Sequence, residues 1–149
     1  MERAKTLFRT GQFDQALEAA DRAIAHNPKS AEAYYYRGII NHTLKRYDRA
    51  IADLNEAISL ESDLPAYYIA RGQLYANQGK NELAIADFDE AIKRDPGNQQ
   101  AIINRDFCKA EVERLKKVAL AKEQEKLKPP APLAVPVAVS GSSRSSSES

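Results

Sequence analysis

The stretches AIADLNEAISLES, from Ala50, and AIADFDEAIKRDP, from Ala84, are near copies of one another. The interval from Ala50 to Ala84 also lays Tyr34 on Tyr68, Arg37 on Arg71 and Gly38 on Gly72, and Arg105 continues the arginine series. Ala16, Ala50 and Ala84 align, as do Ala23, Ala57 and Ala91, each of these last followed by isoleucine. Pro28 and Pro96 are two periods apart with Ser62 midway; Gly11 and Gly79 are likewise two periods apart with Lys45 between them. A fixed period of this length marks a stacked array, in which each unit buries its apolar face on its neighbours because it has no core of its own.

Within one period the pattern is helical. Ile51, Leu54 and Ile58 fall at i, i+3 and i+7, while Asp48, Asn55, Glu56 and Ser59 occupy much of the remaining surface. The spacing predicts second helices over Gln12–His26, Arg46–Leu60 and Asn81–Arg94, with Pro28 and Pro96 as stops beyond the first and last of them. First helices are predicted over about Ala31–Leu44 and Ala66–Gln78. The links inside a unit are short, Lys45 in one copy and Gly79-Lys80 in another, which forces antiparallel neighbours. Gly38 and Gly72 sit mid-helix, where glycine costs about 1 kcal/mol relative to alanine. That cost is tolerated where another helix must come close. Ala50, Ala57, Ala84 and Ala91 offer matching shallow surfaces, and Tyr34, Tyr47, Leu54, Tyr68, Tyr75 and Phe88 are read as core.

Composition narrows the function classes. A formal charge of +1 argues against a dedicated nucleic-acid binder, which carries a concentrated basic excess. One cysteine, Cys108, excludes an intrachain disulfide and a zinc site built on several cysteines. No apolar run is long enough to cross a bilayer, so no membrane span is expected. The start MERAKTLFRTGQFDQ has no signal-peptide core. The reading is a cytoplasmic protein, unless an export signal once preceded Met1.

Taken together, these residues resemble the tetratricopeptide repeat (TPR) family. The resemblance rests on Tyr68, Gly72, Tyr75, Gly79, Ala84, Phe88, Ala91 and Pro96, and in the preceding copy on Tyr34, Gly38, Tyr47, Ala50, Leu54 and Ala57. Residues 1–30 look like a partial first repeat through Ala4, Gly11, Phe13, Ala16, Ala20, Ala23 and Pro28. Full repeats then span 31–64 and 65–98, a C-terminal capping helix 99–128, and a disordered Pro/Ser-rich tail 129–149, which opens PPAPLAVPVAV. Three departures stand out: Asn81 where Phe13 and Tyr47 are aromatic, Ser62 in place of proline, and Asp106 where Gly38 and Gly72 are small. The last marks the helix from Gln99 as a cap with a polar outer face rather than a fourth repeat.

The resemblance implies an all-α, right-handed superhelix of helical hairpins whose first helices line a concave groove. TPR proteins use such a groove to hold a peptide or helix of another protein. The groove candidates are Glu32, Tyr35, Ile39, His42, Ile69, Gln73, Ala76, Asn77, Ile103 and Phe107, with Tyr35, Ile39, Ile69 and Phe107 offering apolar contact. The alternative for Ile103 and Phe107 is packing beneath the terminal helix. Chaperone-binding TPR domains share a cationic clamp for a terminal carboxylate. Its positions fall here on Met1, Lys5, Tyr36, Ala66 and Ala70, so that ligand is disfavoured. Arg37 and Arg71 recur with Asp53 and Asp87 and are expected to pair across packed helices.

Catalysis has little support, and neither a cofactor nor a metal is expected. His26 and His42 are the only histidines, and no phosphate loop, HExxH or GxSxG motif occurs. The leading reading is a non-catalytic scaffold that binds another protein. The rivals are a homodimer formed through an uncovered N-terminal edge around Leu7, Phe8, Phe13 and Leu17, and a fragment of a larger TPR protein.

Overall fold

The three turns of the period share one backbone geometry. Gly11, Lys45 and Gly79 stand one period apart and all take positive φ, 77°, 60° and 75°. At each, two backbone bonds close the preceding helix: the amide of Gly11 donates to Phe8 and that of Gln12 to Leu7; Lys45 to His42 and Arg46 to Asn41; Gly79 to Ala76 and Lys80 to Tyr75. This paired arrangement satisfies carbonyls that a helix end leaves orphaned, and it needs a left-handed residue at its centre. The chain then reverses at once into the next helix.

The computed structural model describes residues 1–134 and 136. Their order is α1 (Glu2–Arg9), α2 (Phe13–His26), α3 (Ala31–Thr43), α4 (Tyr47–Leu60), α5 (Pro65–Asn77), α6 (Asn81–Arg94) and α7 (Gln99–Leu127), with no strand among the described residues. The helices start or stop one residue inside most of the expected bounds, since Gln12, Arg46, Leu44 and Gln78 serve as caps. α5 instead begins one residue early, because Pro65 needs no amide partner in a first turn. Ser30 and Asn98, two periods apart, each cap a helix: Ser30 Oγ accepts from the Ala33 amide and Asn98 Oδ1 from that of Ala101. Residues 129–134 and 136 carry no regular secondary structure and are exposed, and the rest of the tail expected to be disordered lies outside the described residues.

Each hairpin closes on small residues. Ala16, Ala50, Ala84, Ala57 and Ala91 have no exposure, and Leu54 and Phe88 have 1% each. Gly38 faces Leu54 and the Ala50 carbonyl, and Gly72 lies against the ring of Phe88. α3 packs on α4, α5 on α6 and α6 on α7, while α1, α3, α5 and α7 also touch in succession. The result is an all-α solenoid with alternate helices side by side.

Arginines tie the hairpins together. Arg37 of α3 grips Asp53 of α4 with Nε and Nη2, at 3.0 and 2.7 Å, and reaches back to Asp21 of α2 with Nη1 at 3.1 Å. Arg71 of α5 repeats this with Asp87 at 2.8 and 2.7 Å and with Asn55 of α4 at 2.9 Å. Each arginine thus has one partner in the helix ahead of it and one in the helix behind. Arg105 makes the backward reach, to Asp89, and its other partner is Asp106 of its own helix.

At the ends the repetition breaks. α7 runs straight through Glu113, one period beyond Gly79, and carries Asp106 with 60% of its side chain exposed where Gly72 is buried. At the other end the edge expected to lack cover is half-buried. Leu7, Phe8 and Leu17 pack against Ala4, Ala16, Ala20 and Ile40, and the rings of Phe8 and Phe13 are 5.5 Å apart.

Candidate functional site

α3, α5 and α7 lie side by side, and two hollows open along them. Side chains on the first helices that do not pack on their own second helix converge there, and α5 forms the floor between two walls. One hollow of about 390 Å³ is lined by Tyr35 and Ile39 of α3, by Leu64, Ala66, Ile69, Ala70 and Gln73 from α5 and its cap, and by Asn98 and Gln100. A second, of about 290 Å³, is lined by His42, by Gln73, Ala76 and Asn77, and by Asn104, Phe107 and Cys108 of α7. Gln73 belongs to both, so the two form one trough along α5.

The trough gathers eight of the ten expected residues: Tyr35, Ile39, His42, Ile69, Gln73, Ala76, Asn77 and Phe107. Two fall elsewhere. Glu32 is exposed in the first turn of α3 and pairs with Lys5 of α1. Ile103 is 63% exposed but lies outside both hollows. The expectation that Ile69 offers an apolar contact needs correction. It is only 9% exposed because α3 and α7 flank α5 on both sides, so it forms floor rather than anchor. Phe107 is 70% exposed, and neither it nor Ile103 packs beneath another helix.

Sequence reasoning missed the other lining residues: Leu64, Pro65, Ala66 and Ala70, Phe88, and Asn98, Gln100, Asn104 and Cys108. Leu64 and Asn98 cap helices and so fall outside the helical pattern, whereas Asn104 stands one period after Ala70 and was within reach of the same shift.

The chemistry of the trough is apolar and amidic. No residue lining either hollow carries a fixed charge, while Gln73, Asn77, Asn98, Gln100 and Asn104 present amides that both donate and accept. The rings of Tyr35 and Tyr67 meet at a tilt with centroids 4.9 Å apart, and burial raises the hydroxyl pKa of both, that of Tyr67 to about 12 with help from Glu61. Asn77 Nδ2 lies 3.0 Å from His42 Nε2 across α3 and α5. Burial lowers the His42 pKa, and because the Asn77 amide nitrogen can only donate, Nε2 is the acceptor in this contact. At the clamp positions, Lys5 is held by Glu2 and Glu32 and covers the ring of Tyr36 at 4.9 Å, and Ala66 and Ala70 line the trough.

Two profiles described as tetratricopeptide repeat match the chain, over residues 1–67 and 65–98. No curated protein gives a match. Among solved structures, MamA protein superposes with TM-score 0.70 at 28% identity, covering 91% of this chain and 76% of that one. The second TPR domain of human RPAP3, in complex with HSP70 peptide SGPTIEEVD, gives 0.69 at 27%, covering 72% and 90%. The first TPR of Spaghetti (RPAP3), bound to HSP90 peptide SRMEEVD, gives 0.73 at 21%, covering 75% and 89%, a likeness of fold.

Proposed function

This chain belongs to the tetratricopeptide repeat family, and we propose that it is a non-catalytic adaptor that holds an extended peptide or helix of a partner protein in the trough along α5. The carrying observation is the continuous, uncharged trough itself, with Phe107 standing 70% exposed at its wall. An exposed aromatic beside a pocket is the kind of anchor on which recognition energy concentrates. The amides suit a polypeptide backbone, whose N–H and C=O groups they complement. With the expected repeat bounds, 31–64 and 65–98, α3 and α5 each open a unit and α7 follows as the cap. A reducing compartment such as the cytoplasm fits the buried free thiol of Cys108.

The same chemistry sets this trough apart from a carboxylate clamp. The solved RPAP3 domains hold peptides ending in Glu-Glu-Val-Asp. Here Ala66 and Ala70 bring no charge, and the Lys5 ammonium is already neutralised by two glutamates. Such an acidic peptide, titrated by calorimetry, is expected to give no saturable heat. Pull-downs with the native chain and with Tyr35→Ala plus Phe107→Ala test the surface directly. Specific partners should be lost from the variant while its helical circular dichroism is kept. Identical partner sets would show that binding takes place elsewhere.

A further inference from the structure

The longest run of this chain without a charged residue follows α7. Residues 129–143, PPAPLAVPVAVSGSS, give 15 uncharged positions in succession, and the next longest run is the 9 from Pro96 to Asn104. Leu133, the first large apolar residue of that stretch, is 92% exposed, so its side chain gains from any apolar seat.

The trough is the hollow that suits such a segment. Three hollows elsewhere on the described residues include charged side chains: Arg37 and Asp53 in one, Lys45 and Arg46 in another, Glu82 and Lys116 in the third. The trough is lined by none. A charged guest would give up its water there without meeting a counter-charge. Length agrees as well. The 13 residues of α5 run for about 20 Å, and the seven residues LAVPVAV span about 22 Å in the polyproline conformation that Pro136 favours. Segments of that kind dock between aromatic rings, and Tyr35 and Phe107 stand on the two walls. LAVPVAV brings no polar side chain of its own, so its backbone must be the polar partner. Gln73 and Asn104 are half-buried and Gln100 is exposed, which leaves their amides open to a guest backbone.

The segment does not fit into the trough of its own chain. Leu127 lies twenty residues beyond Phe107 on the continuous α7, about 30 Å away. The six residues from Leu127 to Leu133 reach back at most about 20 Å. Leu133 therefore stops about 10 Å short of the nearer end of the trough. We propose that the trough of one copy holds residues 133–139 of a second copy. This rests on the reading of the trough as a peptide site and names its occupant. Two copies that exchange tails reciprocally fill both troughs and close into a dimer.

Sedimentation of the full chain between about 10 µM and 1 mM tests the exchange. The weight-average mass should rise from 16.6 kDa toward about twice that value. Leu133→Asp plus Val137→Asp, beyond the last helix and so harmless to the fold, should weaken association at least about tenfold. Tyr35→Ala plus Phe107→Ala should do the same with helical circular dichroism retained. An equimolar mixture of these two variants should associate again, because the tail of one fits the trough of the other. A synthetic peptide of residues 129–141, titrated into the isotope-labelled tail variant, should shift the side-chain amides of Gln73 and Asn104. A mass of 16.6 kDa at every concentration, association that survives the tail variant at full strength, or a mixture that stays monomeric would each overturn the proposal. So would a tail-dependent compaction without change of mass, which would place the segment along α7 of its own chain. Partners lost from the trough variant in pull-downs, with a native chain that stays monomeric, would sink this inference alone and leave the trough a site for other proteins.

Discussion

Gly38 and Gly72 occupy the same place in successive hairpins, yet the space around them differs. A Cβ on Gly72 would stand 2.8 Å from Phe88 Cε1 and 3.0 Å from two further ring carbons, whereas on Gly38 the nearest atom is Leu54 Cγ at 3.2 Å. Alanine in a helix interior gains about 1 kcal/mol over glycine. Overpacking a closed core costs about 1–3 kcal/mol. At Gly38 both Leu54 Cγ and the Ala50 carbonyl, at 3.2 and 3.3 Å, must give by a few tenths of an ångström, a smaller shift than at Gly72, and the two effects nearly cancel. At Gly72 the buried ring has nowhere to go. Gly38→Ala is expected to stay within about 0.5 kcal/mol of the native chain and Gly72→Ala to lose about 1–2 kcal/mol in urea unfolding. A Gly72→Ala variant at least as stable as Gly38→Ala would contradict this account. The identical glycines were legible in the sequence. Their unequal tolerance depends on which side chain of the following helix meets them, Leu54 in one hairpin and Phe88 in the next.

Among elements, the α3–α4 turn is the one built from a disfavoured residue. Lys45 holds φ 60° where its counterparts are glycines, and a left-handed L-residue costs about 1–2 kcal/mol. Glycine would relieve that cost, although its greater unfolded-state entropy offsets part of the gain. Lys45→Gly is therefore expected to stabilise the chain by about 0.5–1 kcal/mol, seen as a raised urea midpoint with unchanged slope. A lowered midpoint would mean that the lysine side chain contributes a contact that outweighs its backbone. Helices and turns were readable because each is written several times with the same spacing. The trough was less so, and one register shows why. Tyr35, Ile69 and Ile103 are separated by single periods. They pass from half-buried, through 9% exposed, to 63% exposed as the number of flanking helices changes. A periodic sequence carries no mark of how many neighbours a given copy has.

At the scale of the whole molecule, a solenoid is stabilised by contacts between successive units, and the arginines run along those contacts. Arg71 and Asp87 form a two-bond pair with 21% and 6% of their side chains exposed. Removing Asp87 alone strands a guanidinium and is expected to cost about 2–4 kcal/mol. A double-mutant cycle with Arg71→Ala and Asp87→Ala should return a coupling of about 1–3 kcal/mol, and a value near zero would remove the pair from the stabilising contacts. The uninterrupted course of α7 past Glu113 has a consequence of its own. A rod made of like segments tends to lengthen by docking fresh segments on its bare tip, as bricks extend a wall. Here the tip shows Asp106, Lys109 and Glu113 to solvent instead of the shallow seat a glycine would leave. An incoming hairpin would have to nest against that charged flank, which disfavours lengthening of the rod from this tip.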